Sequence, residues 1–219
     1  MTLPCDAIVF DFDGVIVDST ALKLEAFVTL YRPYGEAVVE AVKDYQLAHG
    51  GISRIPKLRY FEEELLGRPA TEERLAELAA RYNAMVEEAV VAAPAIAGAE
   101  VFLRRHAGRL PMFVASGTPE EELVRIVERR GLAEYFMEVR GAPAIKEAIV
   151  AELLPAHGLT ADRTVFVGDA TTDYHAAAHH GMPFVGVVAE GGVDLFPPGT
   201  TVIRDLRDLE QGIQAAMAG

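Results

Sequence analysis

Four short runs of the chain are apolar at nearly every position: AIVFDF at 7–12, LPMFVAS at 110–116, RTVFVGD at 163–169 and PFVGVV at 183–188. All are short and rich in Val, Ile and Phe, which predicts strands rather than helices. A strand without polar alternation is covered on both faces, as in a parallel sheet lying between layers of helices. The stretches between them, at about 119–131, 144–157 and 172–181, have the spacing of amphipathic helices. Strand and helix therefore alternate. The expected fold is α/β, a Rossmann-like three-layer core built on a parallel sheet.

Residues 17–92 break that rhythm. They contain no comparable apolar strand and are rich in helix formers, as in FEEELLG and TEERLAELAARYNAMVEEAVVAA. Pro69 and Thr71 mark a helix boundary inside the segment. A block of about 75 residues is too long for an ordinary crossover between neighbouring strands. It is expected to be an inserted α-helical cap domain, returning near Pro94 and Gly98. The catalytic core is then discontinuous, 1–16 and 93–219.

The strand ends hold the candidate chemistry. Asp11 and Asp13 close the first apolar run, Ser116-Gly117 the second and Gly168-Asp169 the third, with Asp173 four residues on. Sites in open α/β sheets lie just beyond the carboxyl ends of the strands, so residues far apart in sequence converge there. Two carboxylates this close repel unless a cation or proton offsets them. Carboxylates, a hydroxyl and an ammonium together suit metal-assisted phosphoryl transfer: one carboxylate attacks phosphorus, another moves the proton, and Mg²⁺ takes oxygen ligands. Lys146 supplies the ammonium. It is the only one of four lysines outside the inserted segment. Taken singly, each position has a plainer role: an Asx-turn for Asp13, a helix cap for Ser116, and helix N-terminal acids for Asp169 and Asp173.

Charge and composition narrow the partners. The 219 residues carry a net charge of −13, which disfavours nucleic acid and anionic membranes. A local cluster of cations still permits a small anionic substrate. Cys5 is the only cysteine, so no internal disulfide framework exists. Residues 1–7 show neither a basic leader nor the start of a long apolar run, and a cytoplasmic setting is expected. His175 and His179 have i, i+4 spacing, but the hard metal expected here prefers oxygen. Gly191-Gly192 is expected to be a turn. Oligomeric state is not legible.

DFDGVIVDS, VASGTP, Lys146 in GAPAIKEAI, and VFVGDATTDYHAA stand in an order and spacing that resemble the four motifs of the haloacid dehalogenase superfamily of phosphohydrolases. The branch is the one with a helical cap after the first strand, which includes phosphoglycolate phosphatases and β-phosphoglucomutases. The resemblance implies that Asp11 is the nucleophile, forming an aspartyl-phosphate, and Asp13 the general acid and then base. Ser116, with Gly117, and Lys146 would bind the phosphoryl group. Asp11, the backbone carbonyl of Asp13, and Asp169 would hold Mg²⁺, supported by Asp173.

The substrate end is expected in the cap. HGGISRIPKLRYF, 49–61, places Ser53 as a candidate N-cap and gathers Arg54, Lys57 and Arg59 in an otherwise acidic chain. Either these are solvated charges on a capped helix, or Arg54 points into the closed site and binds a second anionic or hydroxyl-rich part of the substrate. The expected activity is hydrolysis of a small phosphorylated metabolite, such as a sugar phosphate or a phosphoglycolate-like compound. A phosphomutase of the β-phosphoglucomutase type is the alternative. The mutases resembled here have a histidine in the first cap helix, where this chain has Lys23 or Leu22. A non-enzymatic phospho-receiver or binding module would use similar residues but no such insertion. Dehalogenation fits poorly, because an alkyl halide leaving group needs no acid at Asp13.

Overall fold

In the computed structural model, which describes residues 3–218, six strands form one wholly parallel sheet. Residues 1 and 2, part of the 1–7 stretch read above for a leader, lie outside the described residues. The strands are β1 (Ala7–Phe10), β2 (Met112–Pro119), β3 (Glu138–Ala142), β4 (Thr164–Gly168), β5 (Phe184–Val187) and β6 (Thr201–Ile203), in the order β3-β2-β1-β4-β5-β6. The four apolar runs are the inner strands. β3 and β6 lie at the edges, where one missing neighbour lowers the demand for apolar residues, and neither stood out in the sequence.

Alternate side chains of each strand enter opposite faces. Ile8 and Phe10, with Val114 and Val167, pack under α5 (Ala99–His106), α6 (Glu120–Arg129) and α9 (Leu209–Ala218). Val9, Phe113 and Phe166 pack under α7 (Lys146–Ala156) and α8 (Thr171–His180). The result is the three-layer arrangement expected. Strand order reverses beside β1, so the crevice between the ends of β1 and β4 is where such a sheet admits a ligand.

Four helices fill the insertion: α1 (Thr20–Tyr31), α2 (Glu36–Ala48), α3 (Arg54–Tyr60) and α4 (Glu72–Ala92). Thr71 caps α4, its hydroxyl accepting from the Arg74 amide at 3.2 Å. Ser53 stands at the N-cap position of α3, yet its side chain makes no capping bond. Phe27, Tyr31 and Phe61 form an edge-to-face aromatic centre, with Phe61 5.5 Å from Phe27 and 5.1 Å from Tyr31. The two passages between insertion and sheet run side by side, Asp18 donating to the Pro94 carbonyl and Ile96 to that of Ile16, both at 3.0 Å. Arg130 pins the return: its Nη1 donates to the carbonyls of Val90, Val91 and Ala93, each at 2.8 Å. Among the described residues no helix is long and apolar enough to cross a membrane.

Candidate active site

Asp11 follows β1 directly, its amide still bonded to the Val167 carbonyl of β4 at 2.9 Å. The strand pairing thus fixes the backbone that carries it. One carboxylate oxygen accepts from the Phe12 amide at 2.6 Å and the other from Lys146 Nζ at 2.7 Å. Lys146 opens α7, is buried, and also donates to Asp173. Burial works against its charge, but Asp11 and Asp173 more than offset it, so its pKa lies above the ordinary lysine value.

Asp169 and Asp173 lie beside Asp11, and one oxygen from each of the three carboxylates lies within 4.8 Å of the others. Burial first, then the charges of Asp11 and Asp173, drive the Asp169 pKa well above the aspartate range. Asp173 is also raised, burial outweighing its bond to Lys146. Asp169 itself makes no side-chain hydrogen bond with any described residue. Gly14 allows this approach. At φ +79° it is in the left-handed region, and a Cβ there would lie 2.0 Å from Asp169 Oδ2.

Asp13 points elsewhere. Its carboxylate accepts from Ser19 Oγ at 2.6 Å, from Thr118 Oγ1 at 3.0 Å and from the Lys23 ammonium. Burial pushes its pKa up, but Lys23 and the two hydroxyls outweigh burial and hold it below the ordinary value. Lys23 also donates to Thr118 Oγ1 at 2.7 Å. Ser116 lies within β2, just past Ala115 where the regular pairing with β3 breaks; it is buried and its hydroxyl accepts from the Thr118 amide at 3.2 Å. Gly117 is next to it, against the Gly51 carbonyl of the insertion.

Most of these groups, though not Lys146 or Asp173, line one cavity of about 430 Å³. Asp11, Asp13, Ser116 and Asp169 form its floor; Lys23, Gln46, Arg54 and Lys57 come from the insertion. Arg54 is buried, stacks over Tyr82 at 4.9 Å and donates through Nη2 to Glu122 Oε1 at 2.9 Å. Glu122 lies on α6, so this ion pair joins insertion to core. Arg54 Nη1 and Glu122 Oε2 are buried without a partner among the described residues. The Gly50 carbonyl accepts from Thr172 Oγ1 at 3.0 Å, which seats the loop before α3 on the start of α8.

Lys23, Thr118, Gln46 and Glu122 were not singled out as site residues from sequence. Each contributes through a partner ten or more residues away on another element, and no local pattern reports that. Arg59 turns away from the cavity, bonding Ala70 and Glu72 on the surface. His175 and His179 are exposed and stand apart from the carboxylate cluster. Gly191 and Gly192 form a turn at the cavity rim.

The model of the haloacid dehalogenase-like hydrolases matches residues 5–181. A phosphoglycolate phosphatase from Rhodospirillum rubrum is 29% identical over 192 residues, covering 82% of this chain and 78% of that protein. Among solved structures, a β-phosphoglucomutase from Clostridium difficile superposes with a TM-score of 0.76 at 19% identity, covering 98% of this chain and 97% of the other. A predicted phosphoglycolate phosphatase from Haemophilus somnus superposes with a TM-score of 0.74, also at 19% identity, covering 96% and 98%. At that identity the structural likeness concerns the fold.

Proposed function

The chain belongs to the haloacid dehalogenase-like hydrolases and is a phosphatase, and on that basis we propose that it hydrolyses a small phosphorylated metabolite through Asp11 with Mg²⁺. The observation that carries this reading is the pair of differently held carboxylates. Asp11 is fixed by Lys146 and the Phe12 amide beside two further carboxylates, while Asp13 is held apart by Lys23, Ser19 and Thr118. Two acids in unlike surroundings can take unlike roles.

The donor set fits a hard divalent cation. Asp11, Asp169 and Asp173 offer only oxygen, and they crowd one another more than Lys146 alone relieves. With the Asp13 carbonyl, Asp11 and Asp169 would hold Mg²⁺, and Asp173 would support them. The bound cation would supply positive charge against the phosphoryl oxygens. An Asp11 oxygen forms the bond to phosphorus as the ester oxygen leaves with a proton from Asp13. Water then attacks phosphorus, Asp13 takes its proton, and the bond to Asp11 breaks. Ser116, the Gly117 amide and Lys146 bind the equatorial oxygens where charge builds. As Lys23 and its neighbours favour the ionised form, Asp13 is set as the base of the second step, and its acid role requires it to take up a proton when the leaving group is bound.

In this reading residues 17–92 act as the cap over a core formed by 1–16 and 93–219, and Arg54 Nη1 meets a polar atom of the leaving group. Single buried Cys5 suits a reducing cytoplasm. A sugar phosphate or a phosphoglycolate-like compound would fill the cavity. The test is p-nitrophenyl phosphate hydrolysis with Mg²⁺, followed by a screen of phosphorylated metabolites. Asp11→Asn should fold and fall to near background; activity within tenfold of wild type would remove Asp11 as nucleophile.

A further inference from the structure

Among the described residues, three of the four cationic side chains at or next to the cavity already have a carboxylate; Lys23 and Arg54 line it, and Lys146 bonds Asp11, which does. Lys23 is paired with Asp13, Lys146 with Asp11 and Asp173, and Arg54 with Glu122. Lys57 is the exception. It lies one turn beyond Arg54 on α3, only 3% exposed, and lines the same cavity. Its Nζ donates to Gln46 Oε1 of α2 at 2.7 Å, and the ammonium lies 5.9 Å from the centre of the Phe27 ring. It forms no ion pair with any described residue. A neutral amide satisfies one of its three N–H groups and none of its charge.

A buried ammonium without a counter-charge is costly, and folding would favour an apolar side chain here unless the charge is used. Burial, then repulsion from Lys23 and Lys146, pull its pKa down to about 7, against weaker attraction from Asp13 and Asp169. Lys57 lines the cavity, so an anion bound there would supply the missing counter-charge.

We propose that Lys57, positioned by Gln46, is a specificity residue that binds an anionic group, a carboxylate or a second phosphate, on the leaving group of the substrate. This rests on the phosphatase reading above and sharpens it: the preferred substrates are phosphate monoesters whose leaving group is itself an anion. Arg54, whose charge is met by Glu122, contributes a hydrogen bond to that group and not the counter-charge.

Matched pairs of esters test this. 2-Phosphoglycolate and 2-hydroxyethyl phosphate differ by a carboxylate in place of a hydroxymethyl group, as do 3-phosphoglycerate and glycerol phosphate. In at least one pair the wild type should favour the anionic member by tenfold or more in kcat/KM. Lys57→Gln should lower that value about ten- to hundredfold, the scale of a lost charge-assisted hydrogen bond, and change the neutral member less than threefold. Lys57→Arg should retain part of the preference. Titration calorimetry in the Asp11→Asn background reads the same discrimination as affinity and does not depend on turnover. Absence of all phosphatase activity therefore refutes the earlier reading while the binding comparison still decides this one. Equal binding of both members in both pairs, or equal losses for both in Lys57→Gln, overturns the proposal.

Discussion

Gly51→Ala probes whether the loop before α3 must rest on the core for catalysis. Gly51 has φ +77°, and a Cβ there would lie 2.1 Å from Thr172 Oγ1 and 3.3 Å from Lys146 Nζ. Alanine in the left-handed region carries about 1–2 kcal/mol of strain. Thr172 must also swing away and give up its bond to the Gly50 carbonyl, worth about 0.5–1.5 kcal/mol. Away from the core the loop relaxes both, so together they weigh against the seated state by about 1.5–3.5 kcal/mol. That corresponds to a roughly 10- to 300-fold loss of kcat/KM, with little change in unfolding free energy. The second arm is Thr172→Ala, which removes the atom in the way. Alone it should cost no more than about tenfold, but combined with Gly51→Ala it should recover activity over Gly51→Ala alone, leaving only the backbone strain. The assay is kcat/KM for p-nitrophenyl phosphate, with thermal unfolding to check the fold. Gly51→Ala within threefold of wild type, or no recovery in the double variant, would mean that the active enzyme does not place this loop against Thr172.

Three further outcomes follow from the same geometry. Asp13→Asn should slow an alkyl phosphate more than p-nitrophenyl phosphate, because the activated phenol leaves with little help from an acid; general acid–base assistance is worth roughly 10²–10⁴ in rate, and equal losses on both substrates would remove the acid role. Exhaustive chelation should abolish activity, with Mg²⁺ restoring it and Ca²⁺ not, since the larger ion takes more ligands in looser geometry; full activity after chelation contradicts the assignment of the carboxylate cluster. Lys57→Met should raise Tm at pH 6.5, by about 2–4 °C for each kcal/mol relieved, with the gain shrinking toward pH 10. The Lys57 pKa is depressed on folding, to about 7, so between that value and the ordinary lysine value the unfolded chain binds more protons and wild-type stability rises with pH. A gain that is the same at both pH values would show that Lys57 is not a buried charge in solution.

The inner strands were legible because burial on both faces leaves room for little but apolar residues, which β1 obeys throughout, β2 over Met112–Ala115, and β4 and β5 apart from Thr164, Gly168 and Gly186. The edge strands were not: β3 reads EVRGA and spends Glu138 and Arg140 on surface ion pairs, while β6 has three residues. The same division runs through the site. Asp11, Asp13, Lys146 and Asp169 follow a strand or open a helix, Ser116 stands where β2 leaves its regular pairing, and topology alone gathers such positions at one edge of a parallel sheet. Arg54 could be raised as one of two readings of the charges at 49–61, but not its use, since its partner Glu122 is 68 residues away on another element. Lys57 was visible only as one of three cations in a loop and helix. What separates it from Arg54 and Arg59 is what it lacks, and a missing partner has no sequence signal.

Seen by charge, the cavity is built from matched pairs with one group left over at each end. On the core side the surplus is negative: Asp169 faces Asp11 and Asp173, and the single ammonium of Lys146 is shared by the latter two. On the insertion side it is positive, at Lys57. Filling either place with a neutral or opposite side chain would relieve the isolated protein, so the arrangement has the character of a site that gives up stability for binding. A divalent cation against Asp169 and an anionic leaving group against Lys57 would complete both ends at once, with the phosphoryl group between them beside Asp11. The two ends are therefore coupled through whatever bridges them: an anionic ester should bind more tightly when Mg²⁺ is present, and Mg²⁺ more tightly when the ester is present, by the same factor. Titration of each into the wild-type protein, with the ester replaced by its non-hydrolysable methylene phosphonate, with and without the other, measures that factor from both sides. In Lys57→Gln the factor for Mg²⁺ should survive while affinity for the anionic ester drops, because the lost contact lies at the far end of the ligand from the metal.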